Sequence, residues 1–117
     1  MKRSFLLLCI AASALLADNG AQQTITGWVL DSACAYTKGL STPISSECAI
    51  ACAKKGSPLA ILTEDGVIYL PIDEKTPATG QNARLMPFAG KRVTASGKVY
   101  ERAGGHAIVL DSIVAAK

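Results

Sequence analysis

The sequence predicts a mainly β fold: a small five-stranded barrel with one added cysteine-bearing helix, at about 45–55, between the first and second strands. Three observations carry this. Short segments rich in β-branched residues recur along the chain, separated by Gly, Pro and Asp-Gly turn signals. One segment switches to helical spacing and holds two of the cysteines. Aromatics make up only 5% of residues and a glycine interrupts the fourth predicted strand, which suits a short, strongly curled sheet.

The elements follow in order. Lys2 and Arg3 precede an apolar run at residues 5–17. A run of that length is shorter than the roughly 20 residues a membrane-crossing helix needs, and small residues follow it. The pattern reads as a signal peptide within 1–21, cleaved after Ala17 or after Ala21. Cleavage would remove Cys9, leave no transmembrane anchor, and place a single domain, 22–117, in a secreted or periplasmic setting. Residues 18–23 read as a polar leader. "TITGWVLD", residues 24–31, reads as strand one.

"PISSECAIACAKKGSP" then carries both ends of a helix. Ser45 or Ser46 can cap its N-terminus. Glu47 suits the first turn, Lys54 and Lys55 the last. Gly56 supplies the residue just past the end, and Pro58 prevents continuation. Cys48 and Cys52, one helical turn apart, share a face. Ala49 and Ala53 flank that face and let the helix lie close to what it covers. "LAILTEDGVIYLP" is two short strands about an Asp65-Gly66 turn. Pro77, Gly80 and Pro87 break up the next stretch, leaving a loop with one helical turn around Asn82 to Met86. "KRVTASGKVYER" alternates Val93, Ala95, Gly97 and Val99 on one face, and "HAIVLDSIVA" returns beside it after a Gly-Gly turn. Five strands with a helical turn before the fourth make an OB-like barrel the expected architecture.

The net charge of +3 includes Lys2 and Arg3, so the mature chain is only slightly basic. Few aromatic platforms and export both argue against nucleic acid as a partner. The Asp73-Glu74 pair reads as a solvated turn. Trp28 and Tyr69 read as core or barrel-mouth packing.

Chemistry concentrates in the cysteines. Cys34, Cys48 and Cys52 lie within nineteen residues, an odd number of thiols. One expectation is a disulfide between Cys34 and either Cys48 or Cys52, tying an irregular stretch to the helix. The other is a three-thiolate site, since two thiols one turn apart can converge with a third from a strand end; soft sulfur ligands favour Cu or Zn. His106, the only histidine, is the expected fourth ligand. Asp31, closing strand one, is expected to accept backbone N–H bonds, with a ligand role as the alternative. No orienting group for a Cys–His nucleophile is visible, and the Cys-x-x-Cys redox spacing is absent.

Asp31-Ser32-x-Cys34-Ala35, Cys48-x-x-x-Cys52, Gly56-Ser57-Pro58-Leu59, Ile68-Tyr69, Phe88-Ala89-Gly90-Lys91-x-Val93 and Gly97-Lys98-Val99 occur together. On these the chain resembles a group of small exported bacterial proteins with an OB-like barrel and no assigned activity, over roughly residues 25 to 114. Many of those relatives carry a histidine four residues after the first cysteine; here that position is Lys38. The resemblance implies fold and export. The sequence thus points first to a non-catalytic binding module tied by a disulfide, with an unidentified extracytoplasmic ligand or protein as partner. Second is a Cu or Zn carrier using Cys34, Cys48 and Cys52, and third a thiol redox protein.

Overall fold

The computed structural model describes residues 20–39 and 44–117. The expected signal segment and its cleavage after Ala17 lie outside the described residues, as does Pro43. Five strands form a closed barrel in the order β1-β2-β3-β5-β4. They are β1 (Ala21–Asp31), β2 (Leu59–Thr63), β3 (Ile68–Pro71), β4 (Arg92–Arg102) and β5 (Gly105–Ala115). Neighbours are antiparallel except β3 and β5, which run parallel. This is the OB-like barrel the strand pattern predicts.

β1 begins earlier than expected. Ala21, Gln22 and Gln23 pair with Val99, Lys98 and Gly97 of β4, so part of the expected polar leader is strand, and one expected cleavage position, Ala21, is its first residue. Along its length β1 changes partner, from β4 to β2, with Gly27 opposite both Val93 and Thr63. A side chain at Gly27 would run into the Leu62 carbonyl, and one at Gly97 into the Val109 carbonyl, where β4 bulges between Ser96 and Gly97. These two close approaches let the sheet coil tightly enough to close.

The alternation predicted for β4 holds: Val93, Ala95, Gly97 and Val99 all point inward. Val93, Ala95 and Val99 meet Ile25, Val29, Ile61, Ile108 and Leu110 in the barrel core. Leu85 plugs one end. It comes from a helical turn, α3 (Asn82–Leu85), continued by a 3-10 turn (Met86–Phe88), where one turn was expected.

Two further helices lie between β1 and β2. α2 (Ser46–Lys54) is the expected cysteine helix. Ser45 caps it, its hydroxyl accepting the Cys48 N–H at 3.1 Å. At the other end the Gly56 N–H bonds the Ala53 carbonyl and the Ser57 N–H the Cys52 carbonyl, a Schellman closure that the left-handed Gly56 (φ 102°) permits. Ala49 and Ala53, both buried, seat α2 directly on the core. α1 (Ser32–Lys38) was expected as irregular chain. It lies outside the barrel wall, where Ala35 packs on Leu30 and Leu62. Among the described residues no helix is long and apolar enough to cross a membrane.

Candidate metal centre

The three cysteines are brought together by two helix starts. Asp31, the last residue of β1, caps α1: its Oδ2 accepts the Cys34 N–H at 2.8 Å. The expected backbone-capping role of Asp31 is therefore met. The bond fixes Cys34 in the first turn of α1. The Ser45 cap fixes Cys48 in the first turn of α2, and Cys52 follows one turn later on the same face. The backbone beneath is anchored by the β1–β2 pair Asp31↔Leu59 and by the Ser32 N–H on the Pro58 carbonyl at 3.0 Å.

The result is a triangle of sulfurs. The three Sγ atoms all lie within 4.8 Å of one another. The Cys34–Cys48 edge is 3.6 Å. Ligands at a Zn–S distance near 2.3 Å sit about 3.8 Å apart around a tetrahedral ion and about 4.0 Å apart around a planar three-coordinate one. The triangle needs only small side-chain adjustments to close on one ion. It is reached through a cleft of about 160 Å³ lined by Asp31, Cys34, Lys38, Ser45 and Cys48, among others.

The surroundings of the thiols favour their protonated forms. Cys34 is pushed up to about 12, chiefly by its thiol contact with Cys48, then by the Asp31 carboxylate and by burial. Burial also raises Cys52 above the ordinary thiol value, with the charges of Asp31 and Cys48 adding to it. Burial opposes ionisation of Asp31 itself. The Ser57 hydroxyl, the Cys34 N–H and the thiols of Cys34 and Cys52 together outweigh it and hold the carboxyl below its usual range. Asp31 is 2% exposed. Its Oδ1 has no hydrogen-bond partner among the described residues. Leaving a buried polar atom unsatisfied costs about 1–3 kcal/mol, and more when it carries charge.

In this structure the three thiols are free, with the Cys34 and Cys48 sulfurs 3.6 Å apart where a disulfide bond would be about 2.05 Å. His106 is not a member of the sulfur group. It opens β5, paired with Tyr69 of β3 and Glu101 of β4. Its ring meets Tyr69 edge-on, centroids 5.5 Å apart, and its Nε2 lies 3.7 Å from a Glu101 carboxylate oxygen.

Other residues fall as follows. Asp73 accepts the N–H groups of Lys75 and Thr79, and Glu74 pairs with Lys98 at 2.7 Å and takes the Tyr100 hydroxyl, so the acidic pair is a pinned loop. Tyr69 packs against the core as expected. Asn82 was not singled out from sequence. Its Oδ1 accepts the Leu59 N–H at 2.8 Å, and its Nδ2 donates to the Ser57 carbonyl at 2.8 Å and the Ala53 carbonyl at 3.4 Å. It clasps the end of the cysteine helix to the start of β2. No sequence signal marks it, because its partners lie 23 or more residues away.

No family model matches the chain, and no match is found among curated proteins or solved structures.

Proposed function

We propose that this protein binds a soft or borderline metal ion, Cu(I) or Zn(II), through the thiolates of Cys34, Cys48 and Cys52, and acts as an extracytoplasmic metal-binding or carrier protein. The observation that carries this reading is the convergence of all three Sγ atoms within 4.8 Å. A disulfide needs only one close pair, whereas here the third sulfur lies as near the other two as a shared ion requires. Sulfur donors suit both ions, and the cleft beside Cys34 and Cys48 gives an ion a way in and out.

The test is metal titration of the reduced protein against a competing chelator. One equivalent of Zn(II) or Cu(I) per chain is expected, with three thiols protected from alkylation. Reduced protein that takes up neither ion contradicts the proposal.

A second reading has its own support. The 3.6 Å Cys34–Cys48 edge and the export signal pattern favour a disulfide between these two in an oxidising space. In that state the chain would be the disulfide-tied binding module with Cys52 free. Mass spectrometry of native, alkylated protein distinguishes the two: a blocked Cys34–Cys48 pair supports the disulfide, and three reactive or metal-protected thiols oppose it.

A further inference from the structure

We infer that Asp31 is the fourth ligand of the three-cysteine site, through its Oδ1, and that this oxygen makes the site selective for a divalent ion such as Zn(II) over Cu(I). The inference rests on the three-thiolate reading above and adds a donor to it.

Three thiolates fill three of the four positions a tetrahedral ion requires. The donor expected from sequence to fill the last, His106, is engaged with Tyr69 and Glu101 instead. Asp31 is the only buried polar side chain among the described residues, and it lines the cleft with Cys34 and Cys48, outside the group of atoms that lie within 4.8 Å of one another. Its two oxygens are unequally used. Oδ2 is committed to the Cys34 N–H, while Oδ1 is buried with no hydrogen-bond partner among the described residues. A buried carboxylate oxygen in that condition calls for a cation.

Its backbone is fixed in the β1–β2 ladder, so bringing Oδ1 onto an ion held by the three sulfurs takes a side-chain rotation and orders no further chain. One residue would then serve the site twice, by orienting Cys34 and by closing the coordination shell. The donor set sets the ion. Three thiolates and a carboxylate place four negative charges around it, which a dication offsets better than a monocation, and oxygen is a poor donor to Cu(I). Lys38 beside Cys34 and Cys48, and Lys55 beside Cys52, supply nearby positive charge.

The experiment compares wild type with Asp31→Asn and Asp31→Ser. Both replacements retain a capping oxygen, and thermal melts of the metal-free proteins check the fold. Zn(II) affinity is read by chelator competition, Cu(I) affinity in parallel, and Co(II) serves as an optical probe. Asp31→Asn is expected to weaken Zn(II) by at least about tenfold and to alter the Co(II) ligand-field bands, while thiolate-to-cobalt intensity for three sulfurs persists and Cu(I) affinity is unchanged. Three-thiolate binding in wild type with Zn(II) affinity and Co(II) bands unaffected by either variant overturns the assignment and leaves the three-thiolate reading intact. No uptake of any of the three metals by reduced wild type overturns both.

Discussion

The cysteine corner and the His106 edge of the barrel are built from similar material to opposite effect. Each gathers groups capable of holding a metal at the end of a strand. At the His106 edge every group already has a neighbour: the imidazole meets the Tyr69 ring and Glu101, and both flanking strands pair through it. At the cysteine corner the groups face one another. Cys48 and Cys52 raise the proton affinity of Cys34, and an adjacent buried carboxylate oxygen lacks a partner among the described residues. A strand ladder satisfies its members as it forms. Two helix starts meeting across a strand end leave their side chains to be satisfied by something else.

Substitution of the donors should separate the regions most sharply. Cys34→Ser, Cys48→Ser and Cys52→Ser should each weaken metal binding by about 100-fold or more, at the upper end of what even supporting residues are worth. His106→Ala should leave it within about twofold of wild type. Chelator competition reads both, and a large loss in His106→Ala would break the comparison.

The pH dependence comes next. Because Cys34 is pushed up to about 12, it keeps its proton across the physiological range in the metal-free protein. Metal must displace that proton, so affinity should rise with pH, by about tenfold per unit for each proton released. Affinity that is flat between neutral and mildly alkaline pH would show that the thiols are not the ligands.

Two glycines sharpen the contrast in stability. Gly90 (φ 79°) lies against the backbone of Ser46 at the start of the cysteine helix, and its N–H bonds the Val29 carbonyl at 2.8 Å. Gly90→Ala adds left-handed strain and a collision, and should cost about 3 kcal/mol while also weakening metal binding. Gly104 (φ 81°), beside His106, has open space around it. Gly104→Ala should cost about 1 kcal/mol and leave the metal untouched. Denaturant unfolding of the metal-free proteins measures both.

Asn82→Ala should be intermediate. It leaves the Leu59 N–H without its partner and frees the end of the cysteine helix, at about 2 kcal/mol. Its effect on metal affinity should be small, because the caps at Asp31 and Ser45 remain. A metal affinity lost as completely as in the cysteine variants would mean that the clasp, rather than the caps, positions the thiols.

What the sequence disclosed follows from how local each determinant is. The cysteine helix was legible because Ser45, Glu47, Lys54 and Gly56 mark its ends within one segment. The inward row of β4 was legible by its period of two. α1 carries its own signals in Asp31, Lys38 and Gly39, but seven residues are too few to form a helix unaided. Ala35 against Leu30 and Leu62 stabilises it, and that packing exists only once the barrel has formed. For the same reason the three cysteines could be named from sequence, along with His106 and Asp31 as candidates for a fourth position, while their convergence could not. Sequence spacing does not say whether Cys34 meets His106; the strand pairing does, setting His106 against Tyr69 and Glu101.

The most direct test is X-ray absorption at the zinc edge of the Zn(II)-loaded protein. The account predicts three sulfur neighbours at about 2.3 Å and one oxygen at about 2.0 Å. A shell of oxygen and nitrogen with two sulfurs or fewer would contradict it.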